Sequence, residues 1–135
     1  MRTLIKNAKI ILEDKVLNYG SLIFNDQEAE IEKIAAYNFP AEEGMRVIDA
    51  EGSYLSAGMI DTHIHGGGGF DTMDALADAL DEISKLLASH GVSSFLPTTM
   101  TMAEKDIQAA LKNIAKAKNN GTAGARVLGA HIEGP

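Results

Sequence analysis

The chain has 135 residues, of which 45% are hydrophobic and 23% charged, a composition typical of a folded globular domain. Its formal net charge of −7 offers no basic surface, which argues against a nucleic-acid partner. The absence of cysteine excludes disulfides and thiolate metal ligands. No apolar run approaches the roughly 20 residues that span a bilayer. We therefore expect a cytoplasmic protein that binds neither nucleic acid nor membrane.

Residues 1–55 contain short segments with β character, separated by polar turns with glycine, proline or asparagine. The segments read TLIKNAKIIL, SLIFN, EIEKIAAY and RVIDA. They predict a small β-rich domain with a mainly antiparallel sheet. This part of the chain contains no cluster of catalytic residue types.

From residue 56 the pattern changes to alternating strands and helices. MIDTHIH, SSFLPTTM and RVLGAHIE predict three strands. Residues 74–90 predict a helix that ends at Gly91, with one apolar face formed by Leu76, Leu80, Ile83 and Leu87. A second helix should begin at a capping box, Thr101 to Glu104, and end at Gly121. Its apolar face would carry Ile107, Leu111 and Ile114.

This succession predicts parallel βαβ units, in which all strands end at one edge of the sheet. Ligands of α/β proteins bind at that edge. The polar residues at the predicted strand ends are His63, His65, Thr98, Thr99, His131 and Glu133. Their shared position indicates a functional site more strongly than any single residue does.

His63 and His65 lie two residues apart on a strand, so both side chains point to the same face. Imidazole is a good ligand for zinc, iron, cobalt or nickel, and two imidazoles on one strand can share an ion. Asp61 has the same parity and would support the site from below. Either histidine could instead make only structural hydrogen bonds, but the pair followed by glycines favours a metal role.

Other residues of this edge allow two interpretations each. Glu133, on the same face as His131, is either a metal-binding carboxylate or an exposed acid beyond a strand end. Thr98 and Thr99 either line a pocket or simply suit a strand. The run Gly66 to Gly69 allows close backbone approach to a ligand, or forms a flexible connection.

Four stretches together resemble the amidohydrolase superfamily and, within it, the N-acetylglucosamine-6-phosphate deacetylases. GMIDTHIHG at 58–66 is similar to the first barrel strand of the superfamily. The narrower resemblance comes from GGGGFDTMDA at 66–75, GVSSFLPTTMT at 91–101 and LGAHIEGP at 128–135.

The resemblance implies a fold, in which residues 56–135 are the first three strands and two helices of a TIM (β/α)₈ barrel. Residues 1–55 would be the small, sandwich-like β domain that precedes it. A whole barrel needs about 250 residues. We therefore expect an N-terminal portion of the enzyme that is inactive alone. Full-length protein is expected to form a homodimer.

The resemblance also implies a reaction, the metal-dependent deacetylation of a phosphorylated amino sugar, N-acetylglucosamine 6-phosphate. One or two divalent ions such as zinc, iron or cobalt would be held by His63, His65 and Glu133. Supporting or pocket roles fall to Asp61, His131, Thr98 and Thr99. The general acid/base aspartate would lie downstream, so no catalytic residue is assigned within this sequence.

Two alternatives stay open. The chain could belong to another amidohydrolase that acts on a cyclic amide or acetamide. It could also be a non-catalytic metal-binding or assembly module, since three barrel strands leave open edges that favour association.

Overall fold

The computed structural model describes residues 1–134 and, for Ala77, the backbone alone. The chain divides into two compact units, Met1–Ala57 and a second that begins at Gly58. Within the described residues, no helix is long and apolar enough to cross a membrane. Pro135, the last residue of the HIEGP stretch, lies outside the description.

The first unit is one five-stranded sheet. Its strands are β1 (Arg2–Ile11), β2 (Val16–Asn25), β3 (Glu30–Ala35), β4 (Arg46–Asp49) and β5 (Tyr54–Leu55). β2 pairs with β1 and β3 in antiparallel fashion, whereas β4 and β5 both lie parallel to β1. The predicted mainly antiparallel sheet is thus confirmed for β1, β2 and β3, and β4 and β5 add a parallel edge. After β3 the chain crosses to the far side of β1 through residues 36–45, and such a crossover permits parallel entry.

The second unit is built around one central strand. Its elements are β6 (Met59–Ile64), β7 (Gly66–Gly67), β8 (Phe70–Asp71), a 3₁₀ turn (Thr72–Asp74), α1 (Ala77–Ser89), β9 (Val92–Thr99), α2 (Glu104–Asn120), β10 (Arg126–Val127) and β11 (His131–Ile132). β6 pairs with β9, and so do β10 and β11, all of them parallel to it. The predicted parallel succession is present, and β9 connects its first and last strands.

Apolar side chains of both helices pack on the sheet. Leu80, Ile83 and Leu87 of α1 are buried with Phe95 of β9 and Ile114 of α2. Burying each such side chain contributes about 1.5–3 kcal/mol. This core holds the helices against the strands whose ends carry the polar residues.

Leu76 does not belong to the buried face, contrary to prediction. It precedes α1 as the N-cap residue, and its side chain is exposed. Its carbonyl instead accepts a hydrogen bond from the amide of Asn113 on α2. The helix starts one turn later than the apolar spacing suggested.

The predicted capping box of α2 is also absent. The helix begins at Glu104, its N-cap is Ala103, and no side chain caps it. The Thr101 hydroxyl donates instead to the backbone carbonyl of Glu133, with 3.4 Å between the oxygens. The predicted helix ends are confirmed: Gly91 and Gly121 both have positive φ and follow α1 and α2.

RVLGAHIE forms two short strands rather than one. Val127 pairs with Phe95 and His131 pairs with Thr98, so four steps along this segment match three along β9. One extra residue is therefore accommodated between β10 and β11, as in a bulge. The predicted continuous strand was wrong, although both pieces lie along the same side of β9.

Candidate metal site

The end of β6 is out of register with β9. Asp61 pairs with Phe95 and Ile64 with Pro97, so three steps on β6 match two on β9. The Asp61 carboxylate accepts the backbone N–H of His63 at 3.0 Å, within this irregular stretch. A bulge of this kind redirects the side chains that follow it. Asp61 thus supports the backbone of His63.

His65 is fixed from the side of β9. Its Nδ1 lies 3.2 Å from the carbonyl oxygen of Thr98. A carbonyl can only accept, so this contact requires the proton of the imidazole on Nδ1. In the neutral ring Nε2 then carries a lone pair that is free to bind a cation.

The glycine run forms an ordered hairpin. Gly66 pairs with Asp71 and Gly67 with Phe70, and the two residues between these strands have φ of 65° and 89°. Two successive positive φ values suit the tight turn that glycines favour. A Cβ on Gly66 would collide with the backbone of Phe70. The run permits close approach of backbone to backbone, within a paired hairpin.

Three donor atoms from His63, His65 and Glu133 converge at the strand ends. Oε2 of Glu133 lies 2.9 Å from Nε2 of His65 and 3.2 Å from Nε2 of His63. The two Nε2 atoms are 3.2 Å apart. Ligands of a tetrahedral ion at about 2.0–2.1 Å from its centre are separated by about 3.3 Å. The triangle therefore has nearly the dimensions of one face of such a site.

The chemistry of the donor set also fits a divalent ion. Two imidazole nitrogens and one carboxylate oxygen suit zinc, iron, cobalt or nickel. Side-chain exposures of 33% for His65, 45% for His63 and 49% for Glu133 leave the cluster open to solvent. An ion held there would keep free positions for water or substrate.

The other predicted residues lie around this cluster. Nδ1 of His131 is 2.9 Å from the carbonyl of Thr62, and its ring lies 4.6 Å from that of His63, centroid to centroid. His131 is not one of the three clustered ligands. Thr98 and Thr99 are both fully buried, but only Thr98 bonds to the histidine segment. Among the described residues, the Thr99 hydroxyl has no hydrogen-bond partner, so no such bond connects it to the cluster.

Two contributors were missed from the sequence. Thr62 acts through its backbone carbonyl, which no side-chain pattern reports. Thr101 was assigned to a capping box because a glutamate follows three residues later, yet its hydroxyl holds the backbone of Glu133. Only the approach of β11 to the end of β9 shows this role.

Several solved structures resemble this chain in fold. Amidohydrolases are among the solved structures that share the fold of the chain. No family model matches it. The chain thus shares its fold with amidohydrolase structures.

Nearer similarities are to deacetylases of N-acetylated amino-sugar phosphates. The N-acetylglucosamine-6-phosphate deacetylase of Bacillus subtilis is 40% identical over 136 residues, which covers 98% of this chain and 34% of that protein. The crystal structure of the enzyme of that name from Pasteurella multocida has a TM-score of 0.86 at 27% identity, covering 100% of this chain and 35% of that one. An N-acetylgalactosamine-6-phosphate deacetylase of Escherichia coli O157:H7 is 46% identical over 89 residues, covering 66% of this chain and 24% of that protein.

The chain is homologous to an N-terminal portion of the N-acetylglucosamine-6-phosphate deacetylases. It spans about a third of the length of the curated relatives it matches.

Proposed function

We propose that the protein to which this chain belongs hydrolyses the acetamide of N-acetylglucosamine 6-phosphate. Water adds to the acetyl carbon, the C–N bond breaks, and the nitrogen takes a proton to leave as the amine. The products are glucosamine 6-phosphate and acetate. The observation that carries the proposal is the convergence of His63, His65 and Glu133 in a chain homologous to these deacetylases.

In this proposal the second unit is the first part of a TIM barrel, and the first unit is the small sandwich-like β domain. The proposed domains keep the predicted ranges, 1–55 and 56–135, whereas the two compact units divide between Ala57 and Gly58. The parallel pairing of β6, β10 and β11 with β9 supports it, because barrel enzymes carry their sites at the C-terminal ends of such strands. Further strands would complete the barrel and supply a general acid/base.

The three donors would hold one divalent ion, zinc, iron or cobalt, and a second ion would need ligands from further strands. Such an ion supplies Lewis acidity, which polarises a carbonyl and makes a proton of water easier to remove. Asp61 holds the backbone of His63, and the Thr98 carbonyl holds the His65 ring. His131 packs against His63 and limits how that ring can turn. Thr99 belongs to the pocket only as buried packing. A cytoplasmic homodimer is part of the proposal.

N-acetylgalactosamine 6-phosphate is the second candidate substrate. The Escherichia coli relative that is 46% identical over 89 residues carries the name of that activity. The two substrates differ only in the configuration of the hydroxyl at C4, and neither the metal ligands nor the acetamide distinguishes them.

Acetate release by the full-length protein, loaded with zinc, iron or cobalt in turn, tests the proposal. We expect turnover of N-acetylglucosamine 6-phosphate and much slower turnover of N-acetylglucosamine without phosphate. Preference for the galactosamine epimer would establish the second candidate. Turnover of cyclic amides in place of both sugars would indicate another amidohydrolase. The absence of any hydrolysis, with metal bound, would support the non-catalytic module.

The 135-residue chain is the matched control in that assay. We expect it to release no acetate, because no general acid/base is assigned among its described residues. Robust turnover by this chain alone would contradict the view that later strands complete the site.

A further inference from the structure

The backbone between the two histidines lacks its ordinary partner in the sheet. In a parallel pair, regular backbone hydrogen bonds connect the strands. At the register shift between Asp61 and Ile64 this ladder is interrupted. The N–H of Ile64 is satisfied instead by a side chain, the Thr98 hydroxyl, at 3.0 Å. A single hydroxyl therefore takes the place of a backbone acceptor between His63 and His65.

Thr98 is fully buried, and three hydrogen bonds of its hydroxyl and its carbonyl bear on this segment. Its hydroxyl accepts from Ile64 and donates to the carbonyl of Leu96, 3.1 Å away. Its own carbonyl accepts from Nδ1 of His65 at 3.2 Å. The donor and acceptor capacities of the hydroxyl are thus both used, in a direction fixed by its partners. One residue holds both the backbone before His65 and the ring of His65.

We propose that Thr98 is a positioning residue for the metal site. Its hydroxyl holds the histidine segment on the shifted register, and its carbonyl keeps the His65 proton on Nδ1 so that Nε2 faces the ion. The proposal rests on the proposed function, since it requires His63, His65 and Glu133 to bind a metal. Partners that orient a ligating histidine typically change metal affinity by 10–100-fold when they are removed.

Thr99 provides a matched control on the same strand. It is also fully buried, but its hydroxyl has no hydrogen-bond partner among the described residues. Valine has nearly the shape of threonine without the hydroxyl. Thr98→Val therefore removes two used hydrogen bonds, whereas Thr99→Val removes a hydroxyl that bonds to nothing in the described structure.

Titration of the metal-free 135-residue chain with Co²⁺, followed by calorimetry, tests the proposal. We expect Thr98→Val to weaken Co²⁺ binding by about 10-fold or more. Thr98→Ser, which retains the hydroxyl, should stay within about threefold of the unmodified chain, and Thr99→Val should match it. Unchanged affinity in folded Thr98→Val, even with a lower melting temperature, would assign Thr98 a merely structural role and overturn the proposal.

Co²⁺ binding by the unmodified chain distinguishes failure of the positioning role from failure of the metal site. If it binds no Co²⁺, the metal site and the positioning role both fall. If it binds and Thr98→Val binds equally well, only the positioning role falls.

A measurement without substitution covers the case in which Thr98→Val does not fold. Nitrogen-15 NMR of the zinc-loaded, unmodified chain reports which imidazole nitrogen of His65 carries the proton. We expect the proton on Nδ1 and zinc on Nε2. Zinc on Nδ1 would overturn the proposal.

Discussion

Nε2 of His65 lies 2.9 Å from Oε2 of Glu133, although the two residues come from opposite ends of the second unit. His65 directly follows β6 and Glu133 directly follows β11. Both strands pair with the same central strand, β9. The donor triangle therefore exists only when the sheet has formed, so metal binding and folding of this unit should be coupled.

Loss of the carboxylate should abolish tight metal binding. Glu133→Gln keeps the size of the side chain but removes its negative charge. We expect Co²⁺ affinity to fall by at least about 100-fold, beyond the effect of a supporting partner. His90→Ala is the matched control, because His90 only ends α1. Equal losses in both variants, or none in Glu133→Gln, would count against the assigned ligand.

The Asp61 carboxylate should stabilise the bulge that carries His63. Asp61→Ala leaves the backbone N–H of His63 without its acceptor. We expect a loss of about 1 kcal/mol in the free energy of unfolding, the net value of one such hydrogen bond. Asp61→Asn retains an acceptor and should lose less. Urea denaturation measures both, and identical stabilities would remove Asp61 from this role.

Alanine substitutions at two glycines of the hairpin, Gly66 and Gly68, should lower the free energy of unfolding by different amounts. A Cβ on Gly66 meets the backbone of Phe70, which cannot move away easily. We expect Gly66→Ala to cost about 2–3 kcal/mol in unfolding free energy, as overpacking does. At Gly68 the nearest atom to a Cβ is 3.8 Å away, and only its φ of +65° is unfavourable. Gly68→Ala should therefore cost about 1 kcal/mol. Equal costs in denaturation experiments would refute the steric explanation.

The stability of α1 should depend on pH through the ionisation of the Asp81 carboxyl. Two hydrogen bonds lower the pKa of the Asp81 carboxyl below its ordinary value. The bond from Lys85 has the larger effect, and the bond from the N–H of Ala123 adds to it. The folded state thus favours the ionised form, and the resulting stability is complete above the unfolded pKa of about 3.9. It is lost as the pH falls through the folded pKa. The effect stays within about 1 kcal/mol, because the pair is partly exposed.

Thermal unfolding of Asp81→Asn between pH 7 and strongly acidic pH checks this assignment. The variant should be less stable than the unmodified chain at neutral pH, and the difference should vanish in acid. Asp14→Asn is the control for loss of an exposed carboxylate, and its difference should be smaller at neutral pH. A difference for Asp81→Asn that is constant with pH would contradict the proposed cause.

The sequence pattern predicted the buried helix face and the strand-end positions of the metal-site residues, because both depend on residues close together in the chain. The apolar spacing of Leu80, Ile83 and Leu87 gave the buried face of α1, since helical spacing alone places those side chains together. The positions of His63, His65 and Glu133 at strand ends followed from the alternation of strands and helices. Their convergence to within hydrogen-bond distance required the structure.

The errors arose where a tertiary partner replaced a local one. Thr101 had the spacing of a capping residue, but its hydroxyl bonds to the carbonyl of Glu133, just beyond β11. The register shifts before Ile64 and before His131 depend on how β6 and β11 meet β9. An extra residue in a strand reverses the alternation of side chains that follows it. MIDTHIH and RVLGAHIE do not alternate strictly between apolar and polar residues, so neither bulge was predictable.

The most direct test of the account is anomalous diffraction at the zinc edge, from a crystal of the zinc-loaded protein. We predict a peak bounded by Nε2 of His63, Nε2 of His65 and Oε2 of Glu133. A zinc peak elsewhere, or full zinc loading with no density at these three atoms, would contradict the metal site on which the proposed deacetylase function depends.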